Sequence, residues 1–349
     1  MKNKQSKKKN LIKVIFNVSI IVLVLALVLY YSLKDNYQEI LNAILSMNKF
    51  CLLIAIFLLI IYRLLASLCY YYVVKINNED ISLKRCLQIN FIIPFFHGVT
   101  PFAGGGQPME IYYLHQEKIS ISKSTNIVLQ NFIIYQISLV AVGVLSLIYN
   151  AYFHLFPSDH FIKHLVVVGF IINLVVLLVS FILSFSTHAQ NLLIKLINWL
   201  TNILGKFKIL KNQETIKNKV TEYLASFHNN AVKLSKNKKL VINLILLNIL
   251  NLCVLYSMPY AIAKGMHLNI SLFDAITATS YVMIIGSFVP IPGGTGGIEY
   301  GFIFFFNYLI KGNIVKALML VWRFISYYLA MILGAIVLSV YRKRCKNCE

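Results

Sequence analysis

The chain has 349 residues, of which 58% are hydrophobic and 13% are charged, and its mean hydropathy is +0.72. Soluble domains contain about 45–50% apolar and about 25% charged residues, so these values exclude a soluble globule and indicate a polytopic membrane protein. The 33 lysines and arginines outnumber the 12 acidic residues, which gives a net charge of +21. In a membrane protein this excess is typical of cytoplasmic loops beside anionic lipid. No nucleic-acid-binding module accompanies it, so we expect no nucleic-acid partner.

Six apolar segments are long enough to cross about 30 Å of hydrocarbon as helices. The first follows a cluster of lysines and lacks a small-residue cleavage site, which favours a membrane helix over a cleaved signal peptide. The six segments are 11–33, 50–73, 126–150, 161–187, 240–263 and 316–341. They predict an all-α polytopic membrane protein in which residues 1–349 form a single integral membrane domain.

Two further apolar stretches, 88–114 and 275–311, are interrupted by glycine and proline. If the first crossed the membrane, the lysine-rich loop 188–239 would lie outside, against the positive-inside rule. If both stretches are instead re-entrant hairpins, 25 of the 33 basic residues lie on the cytoplasmic side, and Arg63 and Arg323 lie within the membrane. We therefore expect two re-entrant hairpins in a cell-membrane protein whose N- and C-termini are both cytoplasmic.

The two broken stretches resemble each other. PFAGGGQPME (101–110) and PIPGGTGGIE (290–299) share a proline, two glycines and a glutamate at a constant offset of 189 residues. Each half then contains two spans, one hairpin and one span, in opposite orientations. This predicts pseudo-repeat halves at 11–150 and 161–341, an arrangement typical of transporters with inverted repeats.

Glycine and proline leave backbone donors and acceptors unpaired, which lipid tolerates only where the segment is buried in protein or lines a wet cavity. Glycines allow positive φ and the approach of a phosphate or carboxylate to backbone N–H groups, but a tight, closely packed hairpin explains them as well. The candidate substrate-binding glycines are Gly104, Gly105, Gly293, Gly294 and Gly296. The candidate hinge residues of the re-entrant turns are Pro101, Pro290 and Pro292.

Four ionisable residues are expected at membrane depth: Glu110 and Glu299 after the breaks, and Arg63 and Arg323 within spans. A charge there costs about 2.5–3.5 kcal/mol or more and indicates function by default. The glutamates are candidates for binding a cationic headgroup or carrying a proton, and the arginines suit a lipid phosphate. A structural Glu–Arg pair in each half explains the same residues, and the sequence does not decide between these interpretations.

The basic loop 188–239 contains leucines and isoleucines at helical spacing, with lysines between them. This pattern predicts an amphipathic helix in the cytoplasmic interface, anchored by Trp199 and attracting anionic lipid. A solvated basic loop that only fixes the topology is the alternative.

VPIPGGTGGIEYGF resembles the glycine-rich segment of the flippase-like transmembrane domain found in lysylphosphatidylglycerol synthases, the multiple peptide resistance factor family. WRFISYYLAMILG resembles the last helix of that domain. The matching positions are Pro290, Pro292, Gly293, Gly294, Gly296, Glu299 and Arg323. The first motif departs from the family pattern, P-x-x-x-G-E followed by a basic residue, because Gln107 to Met109 separate Gly106 from Glu110.

This resemblance implies a lipid flippase that moves an anionic, aminoacylated or glycosylated lipid between leaflets, with a link to antimicrobial peptide resistance. Its partner is then a membrane phospholipid or glycolipid. Two alternatives remain open: a phosphatidylglycerol lysyltransferase, alone or with a partner synthase, and a non-transporting subunit that recruits a glycosyltransferase through the basic loop. The motifs of nucleotide-binding, hydrolytic and metal enzymes are absent, so we predict no catalytic residue, metal or cofactor. The sequence leaves homo-oligomerisation open.

Overall fold

The computed structural model describes residues 37–346, apart from 101–103, 157–159, 288, 290 and most of 207–234. The described residues form helices and turns and contain no strand, so the prediction of an all-α fold is confirmed. The α-helices are α1 Tyr37–Leu45, α2 Lys49–Ile76, α3 Leu83–Gly98, α4 Gly106–Gln116, α5 Ile121–Phe153, α6 His160–Phe185, α7 Thr187–Lys206, α8 Lys238–Tyr256, α9 Met258–Gly265, α10 Leu272–Gly286, α11 Gly297–Leu309, α12 Ile314–Arg323 and α13 Ala330–Lys346.

Five helical segments of the described chain are long and apolar enough to cross a membrane. They correspond to the five predicted spans after 11–33, and 11–33 itself lies outside the described residues. The five segments are Lys49–Ile76, Ile121–Phe153, His164–Phe185, Lys238–Gly265 and Ile314–Tyr341. The protein is therefore a polytopic helical membrane protein.

Both glycine- and proline-broken stretches form pairs of short helices. α3 and α4 contain 16 and 11 residues, and α10 and α11 contain 15 and 13. Each is shorter than the about 20 residues that span a bilayer. The two helices of each pair pack against each other. Each pair is thus a helical hairpin with a non-helical tip.

The last span is a helix interrupted at its centre. α12 passes into a π-helical segment, Phe324–Leu329, before α13 begins at Ala330. α13 packs along α3, where the position of a side chain on Gly334 lies only 2.7 Å from the Phe91 carbonyl oxygen. Small residues allow such close contact between membrane helices. The last span therefore lies directly against the first hairpin.

The buried apolar side chains form two clusters, one around each hairpin. One contains side chains from α2 to α5, including Tyr70 and Ile92, together with Leu338 of α13. The other is larger and contains side chains of α8 to α12, including Phe302 and Trp322. The second hairpin is also held by polar contacts, because the Asn173 side chain binds Gln136 of α5 at 2.9 Å and the Ser287 hydroxyl at 2.8 Å. Polar residues join membrane helices in this way.

α7 forms the first part of the basic loop 188–239. Leu192, Leu196 and Trp199 lie on one side of this helix and are each more than half exposed. The predicted amphipathic helix is thus present with an apolar face that no described residue covers. Its position in the membrane interface remains a prediction.

Candidate functional site

Glu299 and Arg323 form a buried ion pair at the tip of the second hairpin. The Arg323 Nε donates to Glu299 Oε1 at 2.7 Å, and the two residues are only 5% and 4% exposed. Glu299 lies in the first turn of α11, and its Oε2 accepts a hydrogen bond from the Gly296 N–H at 2.6 Å. Arg323 Nη2 donates to the Gly293 carbonyl oxygen at 2.7 Å. The pair therefore fixes both ends of the glycine-rich turn.

The conformation of this turn requires glycine. Gly293, Gly294 and Gly296 have φ values of 67°, 64° and 89°, which side chains rarely adopt. A Cβ on Gly293 would also collide with the Tyr327 ring. Pro292 follows the extended residue Ile291 and begins the short 3-10 turn that contains Gly293. The fixed φ of proline suits the first position of such a turn. Pro290, like Pro101 in the other hairpin, lies outside the described residues.

Tyr327 connects the tips of the two hairpins. It lies in the π-helical segment, four residues after Arg323, and the guanidinium lies 4.6 Å from the centre of its ring. Its ring contacts Gly293 of the second hairpin, while its hydroxyl donates to the Gly98 carbonyl oxygen of the first hairpin at 3.0 Å. Single π-helical turns occur often at functional sites. Sequence reasoning missed Tyr327, although its i+4 spacing from Arg323 was a usable signal.

The first hairpin uses its glycines differently. None of Gly104, Gly105 and Gly106 has positive φ, so the first turn does not use the left-handed conformation found in the second. The Gly105 N–H donates to the Thr100 hydroxyl at 2.9 Å, and a side chain on Gly106 would collide with the His97 ring. Here glycine serves close packing, because α4 starts directly against the end of α3.

Glu110 and Arg63 do not pair. Neither has a salt bridge or a hydrogen bond to another described side chain. Glu110 lies on α4, which packs against α3 and α5, whereas Arg63 lies near the middle of α2.

Arg63 instead lies against an aromatic ring. Its guanidinium is 4.9 Å from the centre of the Tyr62 ring, near the middle of α2. The structure thus divides the four predicted charges: Glu299 and Arg323 are joined, while Glu110 and Arg63 occupy separate places.

These features define a class of protein: a polytopic helical membrane protein in which two broken hairpins meet beside a buried ion pair. The chain belongs to the family described as Lysylphosphatidylglycerol synthase TM region, whose profile matches residues 14–334. The resemblance seen in the sequence is therefore confirmed.

Archaeal membrane proteins are similar over most of their length. The chain is 25% identical to a UPF0104 membrane protein of Methanocaldococcus jannaschii over an alignment of 341 residues that covers 92% of each chain. A UPF0104 membrane protein of Archaeoglobus fulgidus is 25% identical over 264 residues, covering 73% of this chain and 76% of the relative. One of Methanothermobacter thermautotrophicus is 20% identical over 306 residues, covering 87% and 89%.

Proposed function

We propose that this protein is a lipid flippase that moves an anionic, aminoacylated or glycosylated lipid between the leaflets of the cell membrane. The observation that carries the proposal is the contact between the two hairpin tips at Tyr327, beside the buried pair of Glu299 and Arg323. Broken helices that meet near mid-membrane and carry ionisable groups are typical of transport sites. Membership of a family named for lysylphosphatidylglycerol synthesis supports a lipid substrate.

In this proposal both hairpins are re-entrant, and they enter the membrane from opposite sides. Their short helices support that topology, because none is long enough to cross alone. The glycines of both tips and the four charged residues Glu110, Glu299, Arg63 and Arg323 line the path of the headgroup, while the acyl chains stay in lipid.

Alternating access then requires the tips to separate. The Tyr327 hydroxyl reaches the first hairpin, whereas its ring and Arg323 hold the second. When one half moves against the other, the hydrogen bond between the Tyr327 hydroxyl and the Gly98 carbonyl oxygen breaks, and the lipid headgroup gains access to its path. The ion pair keeps the glycine turn intact during this movement.

The test compares a deletion strain with its parent. Total lipids are profiled by mass spectrometry, and lipids of the outer leaflet are counted with a membrane-impermeant label. A flippase predicts that one lipid is still made but no longer reaches the outer leaflet. If that lipid disappears altogether, the transport proposal is wrong and a synthetic role, direct or through a partner synthase, replaces it.

Complementation with variants locates the activity within the protein. We expect Glu299→Gln and Arg323→Gln to restore little labelling at equal protein level. Glu117→Gln is the matched control, because Glu117 also pairs with an arginine, Arg85 at 3.3 Å, but in a partly exposed position away from the tips. Full labelling with Glu299→Gln and Arg323→Gln would remove the ion pair from the mechanism.

A further inference from the structure

Arg63 is a mid-membrane charge without a counter-charge among the described residues. It lies 13 residues from the end of α2 at Ile76, or about 20 Å along the helix, and is half-buried. No described carboxylate lies within salt-bridge distance of its guanidinium. The predicted span 11–33, which is outside the described residues, contains no aspartate or glutamate in its sequence. An unpaired arginine at this depth is costly, so the site favours binding of an anion.

Two tyrosines lie near this arginine, one beside it on α2 and one on the neighbouring helix α5. The Tyr62 ring lies 4.9 Å from the guanidinium. Tyr62 and Tyr135 of α5 pack against the same buried apolar cluster, and α2 and α5 are in contact. Tyr135 lies 14 residues from the start of α5 at Ile121, which is about the same depth as Arg63. The three side chains thus come together between two packed helices.

Tyr256 completes the cluster. It is the last residue of α8, is 1% exposed, and belongs to the buried cluster against which Tyr62 and Tyr135 pack. α8 packs against both α2 and α5. Its buried hydroxyl has no hydrogen-bond partner in the described part of the protein. Leaving such a group unpaired costs about 1–3 kcal/mol. An oxygen-rich anion beside Arg63 would relieve this cost.

We propose that Arg63, Tyr62, Tyr135 and Tyr256 form a binding site for a phosphate group between α2, α5 and α8. An arginine fork and phenol hydroxyls supply several donors to phosphate oxygens, and bonds to a charged acceptor are stronger than neutral ones. Arg323 cannot serve this purpose, because Glu299 already neutralises it. This inference rests on the proposed function and deepens it, since it assigns the lipid phosphate to Arg63 and adds three tyrosines to the site.

The test measures binding to the full-length protein in detergent by native mass spectrometry. Short-chain phosphatidylglycerol is the probe, short-chain diacylglycerol is the phosphate-free control, and inorganic phosphate is the competitor. We expect Arg63→Gln to weaken phosphatidylglycerol binding at least about tenfold, Arg63→Lys less, and Tyr256→Phe about threefold or more, given the strength of bonds to charged groups. Diacylglycerol binding is expected to be equal in all variants.

Two matched controls lie outside the cluster. Lys264→Gln removes another cation stacked on a tyrosine, 5.5 Å from the ring of Tyr260. Tyr281→Phe removes the hydroxyl of another buried tyrosine. Both are expected to bind phosphatidylglycerol like the unmodified protein.

The outcomes separate the ligand sources and the two proposals. If millimolar inorganic phosphate displaces phosphatidylglycerol from the unmodified protein but not from Arg63→Gln, the site exists and also binds free phosphate. If inorganic phosphate displaces no phosphatidylglycerol, the site is specific for the phosphate of the lipid headgroup. Unchanged phosphatidylglycerol affinity in Arg63→Gln and Tyr256→Phe overturns the inference. If Arg63→Gln does not fold, Arg63→Lys and Tyr256→Phe decide. The two proposals can also fail separately. If phosphatidylglycerol binding depends on Arg63 but deletion of the gene leaves the lipids of the outer leaflet unchanged, the flippase proposal is refuted and this site is not.

Discussion

Removal of both partners of the Glu299–Arg323 pair should destabilise the protein less than the sum of the two single removals. Glu299→Gln leaves the Arg323 guanidinium buried without a counter-charge, and Arg323→Gln does the same to the Glu299 carboxylate. Breaking a buried pair from one side costs about 3–5 kcal/mol. The double variant keeps no buried charge and loses mainly hydrogen bonds, at about 0.5–1.5 kcal/mol each. We therefore expect the double variant to recover at least about 2 kcal/mol relative to the sum of the single variants.

The free energy of unfolding can be measured in mixed micelles titrated with a denaturing detergent. The Arg85–Glu117 pair is the control cycle, because both side chains are partly exposed and the N–O distance is 3.3 Å. Exposed pairs contribute about 0.2–1 kcal/mol, so the coupling in that cycle should be small. Additive effects of the Glu299 and Arg323 substitutions would refute the reasoning, since they would mean that the two charges do not compensate each other.

Three further predictions address the glycine-rich turn of the second hairpin, the contact of Tyr327 with both hairpins and the amphipathic helix α7. Gly293→Ala should destabilise the protein more than Gly312→Ala, because both positions have positive φ but only Gly293 faces a ring; equal losses of unfolding free energy would contradict this. Tyr327→Phe should lower the rate of outer-leaflet labelling at a stability cost of only about 0.5–1.5 kcal/mol, whereas Tyr341→Phe, which loses a bond to Glu117, should not change that rate. In a Trp322→Phe background, Trp199 fluorescence should be quenched by a spin label at the lipid headgroup level more than by one at mid-membrane, and water-like emission without quenching would place α7 in solvent.

Hydropathy was sufficient for the five described spans and for the two hairpins as helical segments, because lipid demands continuous apolar helices and forbids unpaired backbone. The predicted ends lie within a few residues of the observed ones. Hydropathy did not predict the break after Tyr256, where α8 ends and α9 begins, and it did not predict the short helix α1 before α2. Local breaks of this kind depend on neighbouring helices rather than on average apolarity.

The sequence was enough to name charged and glycine residues as candidates, but not to predict their contacts. Expected burial at membrane depth suggested a Glu299–Arg323 pair, since each needs a counter-charge, but it left headgroup binding and proton transfer open as well. The same argument suggested Glu110 and Arg63, which do not pair, because depth along a helix cannot be read from charge alone. The Tyr327–Gly98 contact joins residues 229 positions apart, and the sequence carries no local signal for it.

The π-helical segment explains how one helix serves both hairpins. An extra residue in a helical turn rotates the residues that follow it relative to those before, so α12 and α13 present different faces to their neighbours. Arg323, before the segment, reaches the second hairpin, and Gly334, after it, lies against the first. Tyr327 lies within the segment and contacts both. The contact between the hairpins thus depends on an irregular helical turn. Such a turn costs free energy and persists only where the surrounding structure requires it. For this reason we expect transport-related movement at the π-helical segment.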